Sequence, residues 1–467
     1  FEQVSGKLED YAFYGCISLT AFDAPLVEEL GDSVFGDCYS LAVIDAPELK
    51  TVGNNAFAPH SEQATTANVV TSVNLPSLET VGEGAFYGMI HLESIDISGV
   101  TSIGEAAFAL CDRLTTVTMG DSLTEIPAYA FYGCAFLSDI DLSHVIKIGE
   151  GAFYGVILPE TLSLDSAEHI DGYAFVEEKN NTLVNLYAPK LKFVGDQAFA
   201  GCLKLESVEA PALESIGYGA FAYTALTDLE ISNALTDAGF NIIEGSESFK
   251  GFYVDVDGEK VYTKELDNVL IDNGALYTKG ADGYILTTYP MAKDDVEYSV
   301  LEGTVRVEFG AALGNKFLEK VTLPSTLKYI GNYAFDGCEK LSTVVFRSYY
   351  APVLEGTMTG EGININLDNV AEYTGFDSLY KYDYYYVAQS QVSSPFYYNV
   401  FKGVVGHKNS DGLVAVLPDN CQGYDTLIYN AYFDVDETTS GPTAGKYAVD
   451  FINAVNKLPE NVNRFDK

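Results

Sequence analysis

The chain contains no tryptophan, and only 26 lysines and arginines stand against 67 aspartates and glutamates. Each shortage removes a class of function. A formal net charge of −41 repels phosphate backbones and anionic lipid, so neither nucleic acid nor a membrane surface is expected as a partner. Without tryptophan a sugar-stacking platform loses its largest aromatic, although tyrosine can stack as well. No apolar run approaches the roughly 20 residues that a bilayer-spanning helix needs, so no membrane insertion is expected. There is no Cys-x-x-Cys spacing, no P-loop, no serine nucleophile elbow and no paired-carboxylate signature. The five histidines, His60, His91, His144, His169 and His407, are scattered. No catalytic residue, metal or cofactor is therefore assigned, and no enzymatic activity is expected.

What the chain has in abundance is repetition. An Ala-Phe pair returns at Phe13, Phe57, Phe86, Phe108, Phe131, Phe153, Phe175, Phe199, Phe221 and Phe335, with a Val-Phe variant at Phe35. From Phe13 to Phe221 the gaps are 22, 22, 29, 22, 23, 22, 22, 24 and 22 residues. Such a period predicts a stacked solenoid in which each coil closes its core only against its neighbours. Five positions before the phenylalanine stands an aliphatic residue in all eleven copies, from Leu8 to Ile330, and glycine follows it in eight. That glycine implies either a positive φ or a close approach of neighbouring coils. A leucine recurs six positions after the phenylalanine, and three further on comes a β-branched or aromatic residue, as in Ile95, Val117 and Val344. Each coil thus reads as a short strand, a turn, a second extended stretch and the Ala-Phe turn, with strands of adjacent coils paired in parallel.

Several features that suggest chemistry fall inside this register. Cys16, Cys38, Cys111, Cys134, Cys202 and Cys338 all lie three residues after the repeat phenylalanine, which predicts a buried ladder of free thiols, not disulfides. Gly82-Glu-Gly84-Ala-Phe-Tyr-Gly88 loosely imitates a dinucleotide fingerprint without a βαβ context. Asp255-Val-Asp257-Gly-Glu259 spaces oxygen ligands as a calcium loop does, but Asp-Gly between apolar residues is also a hairpin turn, and the turn is the preferred reading.

The repeat quoted by Leu318-Glu-Lys-Val321-Thr-Leu323-Pro324 through Ile330-Gly331-Asn-Tyr-Ala334-Phe335-Asp-Gly337-Cys338 resembles the BspA-like class of leucine-rich repeats. The resemblance covers roughly residues 1–232 and 305–346. It implies a β-rich solenoid of leucine-rich repeats, about 22–23 residues per coil with parallel strands. Members of this family are typically secreted or surface-attached proteins of host-associated bacteria, and several are implicated in adhesion. The resemblance thus implies an extracellular, cell-surface protein whose ligand is a protein or cell-surface component. A glycan-binding or nutrient-capture role and a structural stalk are the alternatives. A monomer is expected.

Outside the repeats, residues 233–304 read as consecutive β-hairpins around Asp257-Gly258, Asn273-Gly274 and Asp282-Gly283. Residues 347–443 read as a tyrosine-rich β module, and 444–467 as the start of a truncated helical module. In the tyrosine-rich stretch, Tyr380, Tyr382, Tyr384 and Tyr386 alternate and would share one face of a strand, with Tyr397 and Tyr398 following. These six form the candidate contact surface. Phe1 opens directly onto polar residues, and no polar cap precedes the first coil. A mature fragment without its signal peptide is therefore the expectation.

Overall fold

The reason for the Ala-Phe period is visible in the computed structural model, which describes residues 3–60, 69–176, 182–331, 333–348, 352–354 and 414–416. Among the described residues there is no helix; every regular element is a strand of two to six residues. Contacts group the chain into two units, Phe1–Lys279 with Pro290–Ala292, and Gly280–Tyr289 with Lys293–Lys467.

In the first unit each coil contributes two short parallel strands. One ends on the aliphatic residue before the glycine, and Glu125–Ile126, Lys147–Ile148, His169–Ile170, Phe193–Val194, Ser215–Ile216 and Asp237–Ala238 stack in that order with no shift of register. The other follows the recurrent leucine, as in Ser94–Ile97, Thr116–Met119 and Asp139–Ile140. Strict parallel register follows because differences in coil length are taken up between the strands, so each strand residue meets its own equivalent one rung away.

Between the two strands the chain turns through the Ala-Phe pair, and here the core is built. Ten phenylalanines from Phe13 to Phe221 form one column with ring centroids 5.1–5.6 Å apart and planes within 17° of parallel. Each phenylalanine amide donates to the carbonyl before the equivalent phenylalanine on the next coil, at 2.9 Å for Phe131 to Ala152 and 2.8 Å for Phe153 to Ala174. The turn is thus hydrogen-bonded along the stack as a strand would be. Burying one such ring contributes about 1.5–3 kcal/mol, and its stacked neighbours about 0.5–1.5 kcal/mol more. From Ala56 to Ala220 the small alanine beside the ring is fully buried, which leaves room for the wall of the next coil.

The recurrent glycine resolves in favour of close approach. None of Gly53, Gly104, Gly149 or Gly217 has a positive φ. A Cβ on Gly53 would lie 2.5 Å from the carbonyl of Gly31, and one on Gly104 would lie 2.3 Å from the amide of Glu83. Positive φ occurs instead two residues before and two residues after the phenylalanine, where glycine alternates with other side chains.

Five of the six register cysteines are buried. The thiol of Cys38 donates to the carbonyl of Phe13 at 3.2 Å, Cys111 to Phe86 at 3.3 Å and Cys134 to Phe108 at 3.1 Å. Each thiol caps the phenylalanine carbonyl of the preceding coil. Cys16 departs from the expected ladder and is exposed, because no coil precedes it among the described residues. Cys421 lies outside the described residues.

The repeat persists past residue 232 in disguise. Ala238 takes the aliphatic place, Gly239 the glycine, Ile242 and Ile243 the Ala-Phe pair, Ser246 the cysteine and Phe249 the leucine; Ser246 Oγ donates to the Phe221 carbonyl at 3.2 Å. Strand Gly251–Val256 then begins parallel to Asp228–Glu230 and ends antiparallel to Glu259–Val261, around a turn with Asp257 at φ 55° and Gly258 at φ 87°. The acidic Asp255–Glu259 motif is that hairpin turn. Val269–Asp272 and Ala275–Gly280 form a second hairpin around Asn273-Gly274. The extra residues of the long gap before Phe86 lie between His60 and Val69, leaving the phenylalanine column unbroken; residues 61–68 lie outside the described residues.

In the second unit, Gly283–Thr288, Thr304–Val307, Tyr329–Ile330 and Val353–Leu354 form one parallel row, and Glu297–Ser299, Lys320–Leu323, Thr343–Phe346 and Val414–Val416 the other. Ala312 occupies the phenylalanine place, and its amide donates to the Ala334 carbonyl at 2.7 Å. Asn315 replaces the cysteine and is fully buried, its amide nitrogen donating to the Lys293 carbonyl at 3.0 Å.

Candidate functional site

The turn that buries the phenylalanines must point other side chains outward. In the first unit those are tyrosines: Tyr11, Tyr129 and Tyr173 two residues before the phenylalanine, Tyr14, Tyr87, Tyr132 and Tyr154 one residue after it, and Tyr223 two after. Tyr11 is 61% exposed and Tyr223 50%. Tyr11, Tyr129, Tyr173 and Tyr223 adopt φ between 56° and 59°, a left-handed conformation that glycine takes at Gly84, Gly151 and Gly219. A side chain there costs about 1–2 kcal/mol of backbone strain. The turn imposes this φ on every coil, since Ser33, Asn55, Ala106 and Gln197 share it, so at these places tyrosine stands where the backbone does not require it.

The rings are ordered. Tyr132 and Tyr154 stack at 5.2 Å, and Tyr129 meets Tyr132 edge-on at 6.2 Å. The Tyr129 ring lies over Gly151 of the next coil, where a Cβ would come within 2.7 Å of it. Gly149-Glu-Gly151-Ala-Phe-Tyr-Gly155 is therefore a seat for an aromatic ring and not a phosphate loop. With their faces against each other or against backbone, the tyrosines present edges and hydroxyls.

Those hydroxyls donate to carboxylates of the same edge. Tyr129 donates to Glu150 at 2.5 Å, Tyr14 to Asp37 at 2.9 Å, Tyr39 to Asp37 at 2.7 Å and Tyr218 to Glu244 at 3.2 Å. Partial burial, and then the bond to Glu150, push the Tyr129 phenol up to about 12. The Asp37 partner likewise raises the Tyr14 phenol. Both remain proton donors at neutral pH. Behind them a second row is fixed by the backbone: Asp10, Asp32, Asn54 and Asp196 accept the amide of the next coil at 2.7–2.9 Å.

The short-strand face of the same coils differs. There each lysine meets a glutamate on a neighbouring rung: Lys7 with Glu29 at 2.7 Å, Lys50 with Glu28 at 2.8 Å, Lys147 with Glu125 at 3.1 Å and Lys192 with Glu168 at 2.7 Å.

The six tyrosines expected to form the contact surface, Tyr380, Tyr382, Tyr384, Tyr386, Tyr397 and Tyr398, lie outside the described residues, as does segment 444–467. The turn-edge tyrosines were hidden by the register, which marks one column of aromatics and draws attention from the positions flanking it. The signal that finds them is an absence at fixed phase. From four residues before to three after the repeat phenylalanine place, the eleven coils from Phe13 to Ile243 hold no lysine or arginine. Two other features are structural. Ser33 Oγ lies 3.2 Å from His60 Nε2, but Ser33 is buried and cannot meet a substrate. A cavity of about 230 Å³ opens among Leu137, Leu142, Phe153, Leu158, Leu162 and Phe175, where Pro159 replaces the usual leucine. Among the described residues no group of three or more His, Cys, Asp or Glu is arranged to hold a metal ion, and no helix is long and apolar enough to cross a membrane.

A family model described as "BspA type Leucine rich repeat region (6 copies)" matches residues 6–69, 62–182, 168–264 and 311–386. The chain belongs to the BspA-type leucine-rich repeat family. The BspA-type match running to residue 264 takes in the disguised coil around Ile243. No curated protein sequence matches the chain. Among solved structures it is similar to a leucine rich cell surface protein from Faecalibacterium prausnitzii A2-165, at 25% identity over 59% of this chain and 67% of that one, with a TM-score of 0.44. A leucine-rich repeat protein from Bacteroides ovatus ATCC 8483 shares 20% identity over 73% of this chain and 82% of its own, with a TM-score of 0.46. The pneumococcal vaccine antigen PcpA shares 16% over 66% and 70%, with a TM-score of 0.30.

Proposed function

We propose that this BspA-type protein is an extracellular, cell-surface binding protein that adheres to host or microbial components, with the turn edge of the first unit as its contact surface. The observation that carries this reading is the set of outward tyrosines, exposed at Tyr11, Tyr14, Tyr129, Tyr132 and Tyr223 and in ring contact at Tyr11–Tyr14, Tyr129–Tyr132 and Tyr132–Tyr154, on a hydrogen-bonded scaffold. Tyrosine supplies large amphipathic contact area at little entropic cost, and a rigid base removes most of the ordering penalty of binding. The reading is binding, because the edge presents a repeating row of outward side chains in place of a pocket. A protein partner is favoured over a glycan, since stacked rings such as Tyr132 and Tyr154 offer hydroxyls and edges in place of open faces. The alternating Tyr380, Tyr382, Tyr384 and Tyr386, with Tyr397 and Tyr398, are proposed as a second contact strip on their spacing alone.

The test is binding of the purified chain to immobilised host-matrix protein and to whole microbial cells. A Tyr129→Ala/Tyr132→Ala/Tyr154→Ala variant with unchanged melting temperature should lose most of the binding. A Glu28→Gln/Glu168→Gln variant on the strand face should lose none. Full retention by the tyrosine variant would remove the turn edge from consideration.

A further inference from the structure

The partner's chemistry can be read from the same edge, an inference that rests on the turn edge being the contact surface. Within the eight-residue window around the phenylalanine place, the eleven coils hold twelve aspartates and glutamates and nine tyrosines, without one basic residue. Part of this window reaches solvent: Asp10, Tyr14, Glu83, Glu105, Tyr129, Tyr132 and Tyr223 are exposed, and a long cationic side chain at such a place would extend into water. The rungs are 5.1–5.6 Å apart. That is less than the screening length of about 8 Å at physiological salt, so carboxylates on successive rungs reinforce one another. On the strand face four lysine pairs at 2.7–3.1 Å offset the larger part of the equivalent charge. The field is therefore concentrated along the turn edge. Just past this window stand isolated exposed apolar side chains on separate coils, Ile17 and Phe136 each 59% exposed and Leu203 58%.

The molecule also shows how such a surface takes a cation. Lys260 of the first hairpin lies 4.5 Å over the ring of Tyr253 and pairs with Asp228 on the adjacent strand. One ammonium is held between a tyrosine and a carboxylate on neighbouring rungs.

We propose that the turn edge binds a cationic protein segment, an extended stretch in which lysine or arginine alternates with apolar residues. Its cations neutralise the carboxylates and are within reach of the tyrosine hydroxyls, and its apolar side chains pack on exposed neighbours such as Phe136.

The experiment uses the whole chain and two fluorescent peptides of equal length, one alternating lysine and leucine, the other glutamine and leucine, followed by anisotropy. The lysine peptide should bind at least tenfold more tightly, and the preference should shrink as salt is raised. Glu105→Gln/Glu150→Gln should weaken it several-fold, whereas Glu28→Gln/Glu168→Gln should not. Equal binding of the two peptides, or equal loss in both double variants, overturns the proposal, the second result meaning diffuse attraction to an acidic protein. So does displacement of all binding by millimolar calcium, which would make the edge a divalent-cation surface. If the tyrosine variant abolishes adhesion to cells while the lysine peptide still shows no preference, the contact surface stands and its partner is not cationic. If adhesion ignores the tyrosine variant, the contact surface itself is wrong.

Discussion

The turn edge and the short-strand face are made by the same coils, from the same repeat and at the same pitch, yet they handle charge in opposite ways. On the strand face a lysine stands within 3.1 Å of a glutamate one rung away, four times over. On the turn edge carboxylates are bonded to tyrosine hydroxyls and backbone amides, none of which carries a positive charge. The scaffold does not impose this difference, since both faces are solvent-exposed rows in parallel register. A solenoid fixes the spacing of its outward side chains and leaves their chemistry open, so a difference between rows at equal spacing reports on what each row meets.

The sharpest way to test the scaffold's side of this contrast is to change two adjacent residues of one turn. Phe131 is fully buried between Phe108 and Phe153, each 5.4 Å away, and Tyr132 beside it points outward. Phe131→Ala should lower stability by about 3–5 kcal/mol, from lost burial and the cavity left behind. Tyr132→Ala should stay within about 1 kcal/mol. Denaturant midpoints of the two variants measure both. Comparable losses would mean that the exposed tyrosines hold the fold together, and their claim to a binding role would weaken.

A smaller effect is expected where coils touch through backbone. Gly104→Ala places a methyl group 2.3 Å from the amide of Glu83, and overpacking of that kind costs about 1–3 kcal/mol. Because Gly104 leads directly into the turn that carries Glu105, the variant should also loosen binding at the edge while leaving the strand-face pairs intact. Hydrogen exchange of the amides around Phe108 and around Lys147 would separate the two regions. Uniform loss of protection would show that the faces are not independent.

The contrast can then be inverted. Lys50→Gln/Lys147→Gln/Lys192→Gln removes three of the strand face's four paired cations. These pairs are exposed, and exposed pairs contribute little, so the melting temperature should barely change. The strand face should now attract the lysine-leucine peptide a few-fold better than in the parent chain. No gain would indicate that the tyrosines, and not the unneutralised carboxylates, decide where a cationic segment binds.

Most of the scaffold was legible in the sequence, and the reasons are physical. Phe131 and its equivalents must repeat because each ring stacks on the next, and Gly53 or Gly104 must repeat because a Cβ would strike the coil before. The disguised coil was not legible, because Ile242-Ile243, Ser246 and Phe249 keep the burial of Ala-Phe, Cys and Leu while discarding their identities. Nor was the candidate site. Periodicity reveals positions that the core constrains, and Tyr129 or Tyr154 occupy positions that the core leaves free. Only the phase established by the column shows that these tyrosines share an edge and that lysine is missing from it.

The smallest expected effect lies at the first two coils, where inside and outside are least distinct. Burial raises the Cys38 thiol from 9.0 to about 11, so the folded chain keeps this proton longer than the unfolded chain does. The stability that follows from this is complete below pH 9 and is lost as pH rises through 11, where the folded thiol also ionises. Cys38→Val, of similar volume, should flatten that stretch of the pH–stability curve. It should also cost about 1 kcal/mol or less at neutral pH, since it gives up one weak hydrogen bond to the Phe13 carbonyl. Labelling with a thiol reagent at pH 8, mapped by mass spectrometry, should modify Cys16 and spare Cys38, Cys111, Cys134 and Cys202. Equal labelling of Cys16 and Cys38 would mean that the first coil stands open. The division between a sealed column and a working edge would then begin one rung later, at Phe35.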